Sequence, residues 1–234
     1  GAEFTALRTH SGSRGTGHAM ASYYSDLAHK RTRLIAPEVP KEYAWLSIDE
    51  DAGREYLAVM HLMGMYAQAN HHLIHAHFLR RTGLTPLRLN GTTVALDHIH
   101  APFQVIENHH NYAWVEGDLV IHRKGATPAG KGVAGLIPGS SGSASYLVNG
   151  LGNPNSLESS SHGAGRPHSR TQARKLHDQA AFERHMTQHD ILYRGVAPDE
   201  TVMAYKDIND VIGLQVGELV DIVAEMFPVA VIMG

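Results

Sequence analysis

The chain has 234 residues, 43% of them hydrophobic, which is enough to build one sizeable domain or at most two small ones. Its formal net charge of −3 excludes a globally basic nucleic-acid-binding protein, so any contact with a phosphate backbone must come from a local patch. Cysteine is absent while histidine occurs 18 times, which excludes thiolate nucleophiles and leaves nitrogen and oxygen to hold any metal. Because we find neither a membrane-spanning apolar run nor a signal-peptide pattern, we expect a cytoplasmic protein.

The first third of the chain predicts a strand, a glycine-rich loop and two helices. Residues 5–10, "TALRTH", predict a short strand that enters the loop "SGSRGTG", and residues 18–33 have helical spacing. Ser47 and Glu50 form a capping-box pattern before a long helix over residues 51–82, whose apolar positions recur every three or four residues.

The middle of the chain predicts strands followed by a helix. Residues 84–150 contain β-rich segments such as "TTVAL", "FQVI", "LVIHR" and "ASYLV", separated by glycine-rich turns, which indicates a sheet that carries functional loops. Ser169 and Gln172 then form a capping box for a polar amphipathic helix that runs to about residue 188.

The last third predicts a strand over residues 190–194, a helix over 207–226 and a buried strand over 228–233. Together the elements favour an α+β fold in which helices cover a mixed β-sheet. We therefore predict a single domain over residues 1–234.

Two motif-like segments favour simple roles. "GATPAGKG", residues 125–132, nearly matches a P-loop, but Gly132 replaces the hydroxyl residue that would ligate magnesium, so a basic loop that touches phosphate is preferred. His71 and His75 have metal-ligand spacing on one helical face, yet the glutamate of an HExxH motif is absent. A polar flank of the core helix is the favoured interpretation of these histidines.

Two histidine-containing loops are better candidates for ligand binding. "ENHHNY", residues 107–112, places two histidines between two asparagines after a predicted strand, and amide side chains commonly orient imidazoles, so a ligand role and a structural role stay equally open. "RTHSGSRGTGH" combines His10 and Arg14 with glycines that let backbone N–H groups converge, a pattern typical of phosphate or sulfate binding.

His162 is the strongest candidate for a nucleophile. It lies in "SSSHGAGRPHSR", between a serine run and nearly bare backbone, with Arg166 and Arg170 after it. A neutral imidazole can attack a phosphoryl centre, and this chemistry needs cations to spread the phosphate charge and small residues to admit a nucleotide. A serine-hydrolase triad is disfavoured because the sequence has no GxSxG elbow.

Several segments taken in order resemble the RtcB family of GTP- and manganese-dependent RNA ligases. They are "HSGSRGTGH", "ENHHNYA", "HRKGATPAG", "GLIPGSSGSASYLV", "SSSHGAGRPHSRTQA", "AYKDINDVI" and "PVAVIMG". The resemblance implies an RtcB-type fold and an RNA ligase that joins RNA 3′-phosphate or 2′,3′-cyclic phosphate ends to 5′-hydroxyl ends in splicing or repair. It also implies GTP and two manganese ions as cofactors, RNA as partner and an archease-like activator.

The resemblance implies a role for each matching position. His162 matches the guanylylated histidine, His10 and His110 match ligands of the two metals, and Asn111 would contact the nucleotide. The guanylate-binding residues would be His110, Pro138, Gly139, Ser140, Ser141, Ser145, Gly163, Ala164, Gly165, Tyr205 and Met233. The RNA phosphates would be held by Arg14, Lys124, Arg166 and Arg170.

The chain also departs from the family pattern. In the family, a "DxGCG"-type motif with an aspartate and a metal-bridging cysteine, and a "GNHF" motif with an Asn-His pair, precede the "HSGSRG" loop. Neither motif occurs in this sequence, so we expect a C-terminal portion of an RtcB-type ligase. Met233 stands where the family usually has lysine, and Pro167 and His168 replace a more usual apolar pair. Two alternatives follow: a catalytically incomplete module that binds guanine nucleotide or RNA phosphate, or a nucleotidyltransferase that acts on other nucleic-acid ends.

Overall fold

The computed structural model describes residues 4–82, 87–90, 93–96, 106–176 and 178–233. The chain divides into two compact units, residues 1–105 and residues 106–234. Helices and small sheets occur together, which confirms the α+β class, whereas the single domain stays a prediction. Within the described residues, no helix is long and apolar enough to cross a membrane.

The described residues of the first unit form two long helices and a pair of antiparallel strands. Its elements are α1 (Arg14–Ile35), α2 (Asp51–Arg81), β1 (Leu87–Asn90) and β2 (Thr93–Leu96), with a short 3-10 turn at Lys41–Tyr43. The Thr32 side chain is buried in α1 and hydrogen-bonds the backbone of Trp45, which ties α1 to the segment that leads into α2. The prediction of a long second helix is confirmed.

Two predictions for the first unit are wrong. Residues 5–10 form no strand, and no described strand pairs with them. The reason is that a strand without a neighbour leaves its backbone N–H and C=O groups without hydrogen bonds. The capping box at Ser47 is not formed either: α2 begins after Glu50, whose side chain makes no cap hydrogen bond, and the Ser47 hydroxyl instead accepts from the Asp49 amide.

The second unit is built from small sheets and three helices. Its strands are β3 (Asn111–Glu116), β4 (Leu119–Lys124), β5 (Ala126–Pro128), β6 (Ala134–Pro138), β7 (Ser145–Gly150), β8 (Ser159–Ser161), β9 (Leu192–Arg194), β10 (Val220–Met226) and β11 (Ala230–Ile232). Its helices are α3 (Arg170–Leu176), α4 (Gln179–Gln188) and α5 (Ile208–Gly213). In place of the one mixed sheet that was predicted, the strands of the described chain divide among five small sheets.

The central sheet of the second unit has the antiparallel order β10-β7-β6. β3 pairs with β4, and β5 pairs with β8, both antiparallel, whereas β9 and β11 are parallel. The buried side chains of Ile137, Val148 and Val220 form a core with α5, and Ala164 joins this core two residues after His162. The core therefore fixes the backbone that carries the candidate nucleophile.

Two predicted helices of the second unit differ from the structure. The predicted helix over 207–226 ends at Gly213, and the chain then turns through Gly217, which has a φ of +81°, before it forms β10 against β7. The apolar and β-branched residues of the second half therefore gain a sheet partner, which local periodicity cannot reveal.

The predicted helix from Ser169 to about residue 188 divides into α3 and α4. The reciprocal bonds of its capping box are formed between Ser169 and Gln172, as predicted. A second start occurs at Asp178, whose side chain accepts from the Ala180 amide and so caps α4.

The remaining strand predictions have mixed outcomes. The strands of "LVIHR", "ASYLV" and "DILYR" are confirmed as β4, β7 and β9. The terminal strand β11 forms but is largely exposed rather than buried, and most of "FQVI" lies outside the described residues.

Candidate functional site

Three segments of the second unit meet at His162. The residue directly follows β8, and its amide donates to the Gly125 carbonyl at 3.2 Å. The Gly125 amide in turn donates to the His110 carbonyl at 2.9 Å. The imidazole rings of His110 and His162 lie 4.7 Å apart between centroids. Backbone hydrogen bonds thus bring the tilted rings of two predicted histidines into contact.

The Nδ1 atom of His162 is buried and has no hydrogen-bond partner among the described residues. Gly125 lies against this side of the ring: it has a φ of +68°, and a Cβ on it would approach Nδ1 to 3.6 Å. A buried polar atom without a partner is rare in proteins and commonly marks a functional position. Because Nδ1 is enclosed, Nε2 is the nitrogen of His162 that remains for a ligand.

The serine-rich loop over residues 138–145 lies next to the His162 loop. The Pro138 carbonyl accepts from the Ala164 amide at 3.2 Å, and a Cβ on Gly163 would approach the same carbonyl oxygen to 3.0 Å. On the loop itself, a Cβ on Gly139 would overlap the Ala144 carbonyl. Small residues are therefore required for this close approach of backbones.

Hydroxyl groups stabilise the same loop from within. The Ser140 amide donates to the Ser143 hydroxyl at 2.7 Å, and the Gly139 amide donates to the Ser145 hydroxyl at 3.4 Å. The Ser141 hydroxyl donates to the Glu200 carbonyl at 2.7 Å. These bonds give the predicted guanylate loop a defined shape and anchor it to residues 198–200.

Arg166 is engaged by a group of carboxylates and a tyrosine. Its Nη2 lies 2.8 Å from Glu200 Oε1 and also donates to the Tyr205 hydroxyl, and its guanidinium stacks 4.2 Å above the Tyr205 ring. Its Nη1 donates to the Asp199 carbonyl. With only 18% of its side chain exposed, Arg166 holds neighbouring segments together, whereas its predicted contact with RNA phosphate stays a prediction.

Arg170 and Arg174 complete this ion-pair network. Arg170 Nη1 lies 2.6 Å from Glu200 Oε1 and 3.2 Å from Asp199 Oδ2, while Arg174 Nε lies 2.9 Å from Asp199 Oδ1. The hydrogen bond from Arg174 is the main reason that the pKa of the buried Asp199 carboxyl is lowered. Asp199 is therefore charged under ordinary conditions.

Tyr205 is held as a neutral phenol. Burial, and then the hydrogen bond and negative charge of Glu200, raise its pKa to about 12. Its ring packs at the edge of the core that contains Ala164, which keeps it near the His162 loop. Its predicted contact with the guanine base stays a prediction.

A family model described as tRNA-splicing ligase RtcB matches residues 3–234. The chain belongs to the RtcB family. The RNA-splicing ligase RtcB of Escherichia coli K12 is 32% identical over 240 residues, which cover 97% of this chain and 56% of that protein. The tRNA-splicing ligase RtcB of Nanoarchaeum equitans is 33% identical over 250 residues, which cover 96% of this chain and 51% of that protein. The chain thus spans about half the length of the curated RtcB relatives it matches.

The remaining RtcB site predictions fall in several places. Lys124 and Asn111 face each other across the β3–β4 hairpin, and the Lys124 ammonium donates to the Asn111 side-chain oxygen at 2.9 Å. Met233 packs against the second core, formed by Phe182, Met186, Ile191 and Val196. Its predicted contact with the guanylate stays a prediction.

His10 and Arg14 belong to the first unit, where both are exposed. Their glycine loop is held by Asn70 of α2, which donates to the Ser11 hydroxyl at 2.7 Å and to the Gly12 carbonyl at 3.2 Å. Arg14 has a φ of 56°, a left-handed conformation that a non-glycine residue adopts at some cost.

The resemblance to RtcB implies manganese, which needs a group of nitrogen and oxygen ligands. Among residues 4–82, 106–176 and 178–233, no three histidine, aspartate or glutamate side chains lie grouped so that they could hold a metal ion. His10 and His110 belong to different units, and their assignment as metal ligands stays a prediction.

Three residues that hold the segments around the candidate site were not predicted from the sequence: Asp199, Glu200 and Arg123. The first two lie in "PDET", shortly before the "AYKD" motif, and an acidic pair in a turn gives no local sign of its partners. Arg123 lies in "HRKGAT" but is 3% exposed, so it is not a surface cation. The β4 pattern could have shown it, because Arg123 alternates with the exposed residues His122 and Lys124.

Proposed function

We propose that this chain carries the nucleophile and the guanylate-binding loops of an RNA ligase. The ligase would join RNA 3′-phosphate or 2′,3′-cyclic phosphate ends to 5′-hydroxyl ends. The observation that supports this most is His162, whose Nδ1 is enclosed without a partner in the described part of the chain while small residues lie around its backbone. Its relatives named RNA-splicing and tRNA-splicing ligases favour the same chemistry.

In the proposed reaction, Nε2 of neutral His162 attacks the α-phosphorus of GTP. A nitrogen–phosphorus bond forms, the bond to the bridging oxygen breaks, and pyrophosphate leaves. An oxygen of the RNA 3′-phosphate then attacks the same phosphorus, which frees the imidazole and leaves GMP on the RNA end. Finally the 5′-hydroxyl of a second RNA end attacks the activated phosphate, loses its proton, and GMP leaves. A cyclic phosphate end is first opened by water.

The neighbours of His162 have distinct parts in this proposal. Gly125 and the ring of His110 hold the imidazole in one orientation, which reduces the entropy lost when the nucleophile reacts. The loop that begins at Pro138 and the backbone from Gly163 to Gly165 would admit the guanylate. Within the described residues, a Cβ on Gly165 would meet no other atom within 4 Å. Arg166 would act mainly by positioning Tyr205.

Covalent labelling tests the proposal. We expect the chain, incubated with α-labelled GTP and manganese, to retain a label that is lost in acid and kept in alkali, as a phosphoramidate is. The His162→Asn variant should retain none, whereas His168→Asn, at an exposed position of the same loop, should label like the wild type. Equal labelling of the His162→Asn variant would overturn the assignment of the nucleophile.

A second candidate function is favoured by one observation, the lack of a three-ligand metal group within the described residues. In this alternative the chain is a module that binds guanine nucleotide or RNA phosphate without chemistry. It predicts that GTP raises the melting temperature of the chain without covalent label. A label on His162 would exclude this alternative.

A further inference from the structure

Helix α3 presents two arginines on one side. Arg170 and Arg174 are four residues apart, so their side chains are neighbours on the helix surface. Each side chain is 63% exposed. Arg174 is not part of the motifs that carry the family resemblance.

A buried carboxylate fixes both arginines at once. The Asp199 side chain is 1% exposed, and its two oxygens are divided between the two partners: Oδ2 contacts Arg170 Nη1 and Oδ1 contacts Arg174 Nε. Exposed arginines usually lose side-chain entropy when they bind a ligand. In this protein, part of the side-chain entropy of Arg170 and Arg174 is already lost on folding, because both side chains are bound to the buried carboxylate of Asp199.

Both arginines keep N–H groups for a further partner. A guanidinium carries five N–H donors. Within the described residues, Arg170 uses Nη1 for its carboxylate contacts and Arg174 uses Nε, so the Nη groups of Arg174 are not engaged by them. Guanidinium groups bind phosphate oxygens in a forked, bidentate geometry.

The charge balance also favours an anion. Three arginines, Arg166, Arg170 and Arg174, face two carboxylates, Asp199 and Glu200, which leaves one net positive charge. Arg166 is largely enclosed, so the surplus charge is presented to solvent by the pair on α3.

We infer that Arg170 and Arg174 form a two-arginine clamp for the phosphodiester backbone of an RNA strand, with Asp199 as the residue that positions both. The inference rests on the proposed function, because that function makes RNA the substrate. Arg174 adds a phosphate contact that the motifs do not assign, and Arg166 acts behind the clamp rather than in it.

RNA binding as a function of salt tests the clamp. The probe is a single-stranded RNA with a 3′-phosphate, and the proteins are the wild-type chain, Arg174→Gln and Arg184→Gln. Arg184 is a matched control: its side chain is 65% exposed, it is paired with Asp178, and the substitution changes the net charge equally. For Arg174→Gln we expect weaker RNA binding at low salt. The slope of log K, where K is the RNA association constant, against log salt concentration should be smaller in magnitude by about 0.7, which is the value for one phosphate contact to a single strand. Arg184→Gln should keep the wild-type affinity and slope.

Asp199 variants separate lost contact from lost folding. Arg174→Gln leaves one oxygen of a buried carboxylate without its partner, so its melting curve is recorded first. Asp199→Asn removes the buried charge and keeps the Arg174 cation, and the double variant Asp199→Asn/Arg174→Gln keeps the wild-type net charge without that cation. We expect Asp199→Asn to keep the wild-type salt slope of RNA binding. The double variant should show a slope reduced by the value of about one phosphate contact.

The outcomes are distinguishable from those of the labelling test. The clamp is overturned if the double variant binds RNA with the affinity and slope of Asp199→Asn, or if the wild-type chain binds no RNA. If His162 is labelled in either case, the ligase proposal stands without the clamp. If the clamp variants behave as expected but neither the chain nor the natural protein containing it is labelled, the RNA site stands and the ligase proposal fails.

Discussion

Replacement of Arg123 by methionine is expected to destabilise the second unit and to displace His162. The Arg123 side chain is 3% exposed and makes a bidentate ion pair with Glu116, at 2.6 and 3.2 Å. It also donates to the Ser159 hydroxyl at 2.8 Å and to the Leu157 carbonyl at 3.0 Å. Arg123 therefore joins the β3–β4 hairpin to the segment that leads through β8 to His162.

The segment that Arg123 holds is strained. Leu157 and Glu158 have φ values of 52° and 48°, so two consecutive non-glycine residues are left-handed. This conformation costs roughly 1–2 kcal/mol per residue. Without the bond from Arg123 to the Leu157 carbonyl, the turn is free to relax, and Ser159 and the residues after it shift with it.

The expected loss in the free energy of unfolding follows from the burial of Arg123 and Glu116. Removing one member of a buried ion pair costs about 3–5 kcal/mol. The Glu116 side chain is 37% exposed and can regain water, and methionine fills much of the arginine volume, so we expect the lower value, about 3 kcal/mol. Arg123→Lys keeps the charge but not the fork and should cost about 1.5 kcal/mol.

Urea unfolding measures this loss in the second unit. The chain has two tryptophans, so a Trp45→Phe background leaves Trp114, beside Arg123, as the only tryptophan reporter. With a slope of about 2 kcal/mol per molar urea, the midpoint should fall by about 1.5 M for Arg123→Met. The guanylate label on His162 should fall with it, and Arg184→Met should change neither quantity. A midpoint equal to that of the Trp45→Phe parent would refute the reasoning.

Three further predictions concern the loop and the ion-pair network. Gly139→Ala should lower stability by about 1–3 kcal/mol, because the new Cβ would overlap the Ala144 carbonyl, and thermal melting measures this loss. The control is Gly213→Ala, which should not destabilise the chain because a Cβ there would meet no described atom within 4 Å. The Tyr205 phenol should ionise near pH 12. The difference in alkaline absorbance between wild type and Tyr205→Phe should show this ionisation as a step near pH 12, and a step near pH 10 would contradict the burial of Tyr205. Because its pKa is raised, the stability it contributes is complete below about pH 10 and is lost between pH 10 and about 12. Asp199 has a lowered pKa, so its stabilisation is present above about pH 4 and is lost as the pH falls below it. The melting temperature of Asp199→Asn should therefore depend less on acid pH than that of the wild type, and equal pH profiles would count against the network.

Elements with strong local signals were predictable from the sequence. The apolar period of α2 and the β-branched residues of β4 and β7 identified these elements, and the capping box at Ser169 was read correctly from four residues. Elements that depend on distant partners were not predictable. β10 looks helical by local pattern, but it becomes a strand because β7 offers a paired edge about 75 residues earlier in the chain.

The same distinction applies to the candidate site. Motifs identified His110 and His162, and backbone bonds through Gly125 bring the two rings together. Charge alone suggested that Arg166 is open to a phosphate, whereas Asp199 and Glu200, more than 30 residues later, engage both of its Nη groups. The sequence gives the charge of a side chain but not the partner that already neutralises it.

The central claim, that His162 is the residue that accepts GMP, is tested most directly by locating the label. The chain, and the natural gene product that contains it, are incubated with GTP and manganese and digested at alkaline pH. The tryptic peptide 132–170 contains only two histidines, His162 and His168, so its fragment spectrum identifies the modified one. The proposal predicts guanylate on His162 and none on His168. Guanylate on another residue, or no guanylate on either protein, would contradict it.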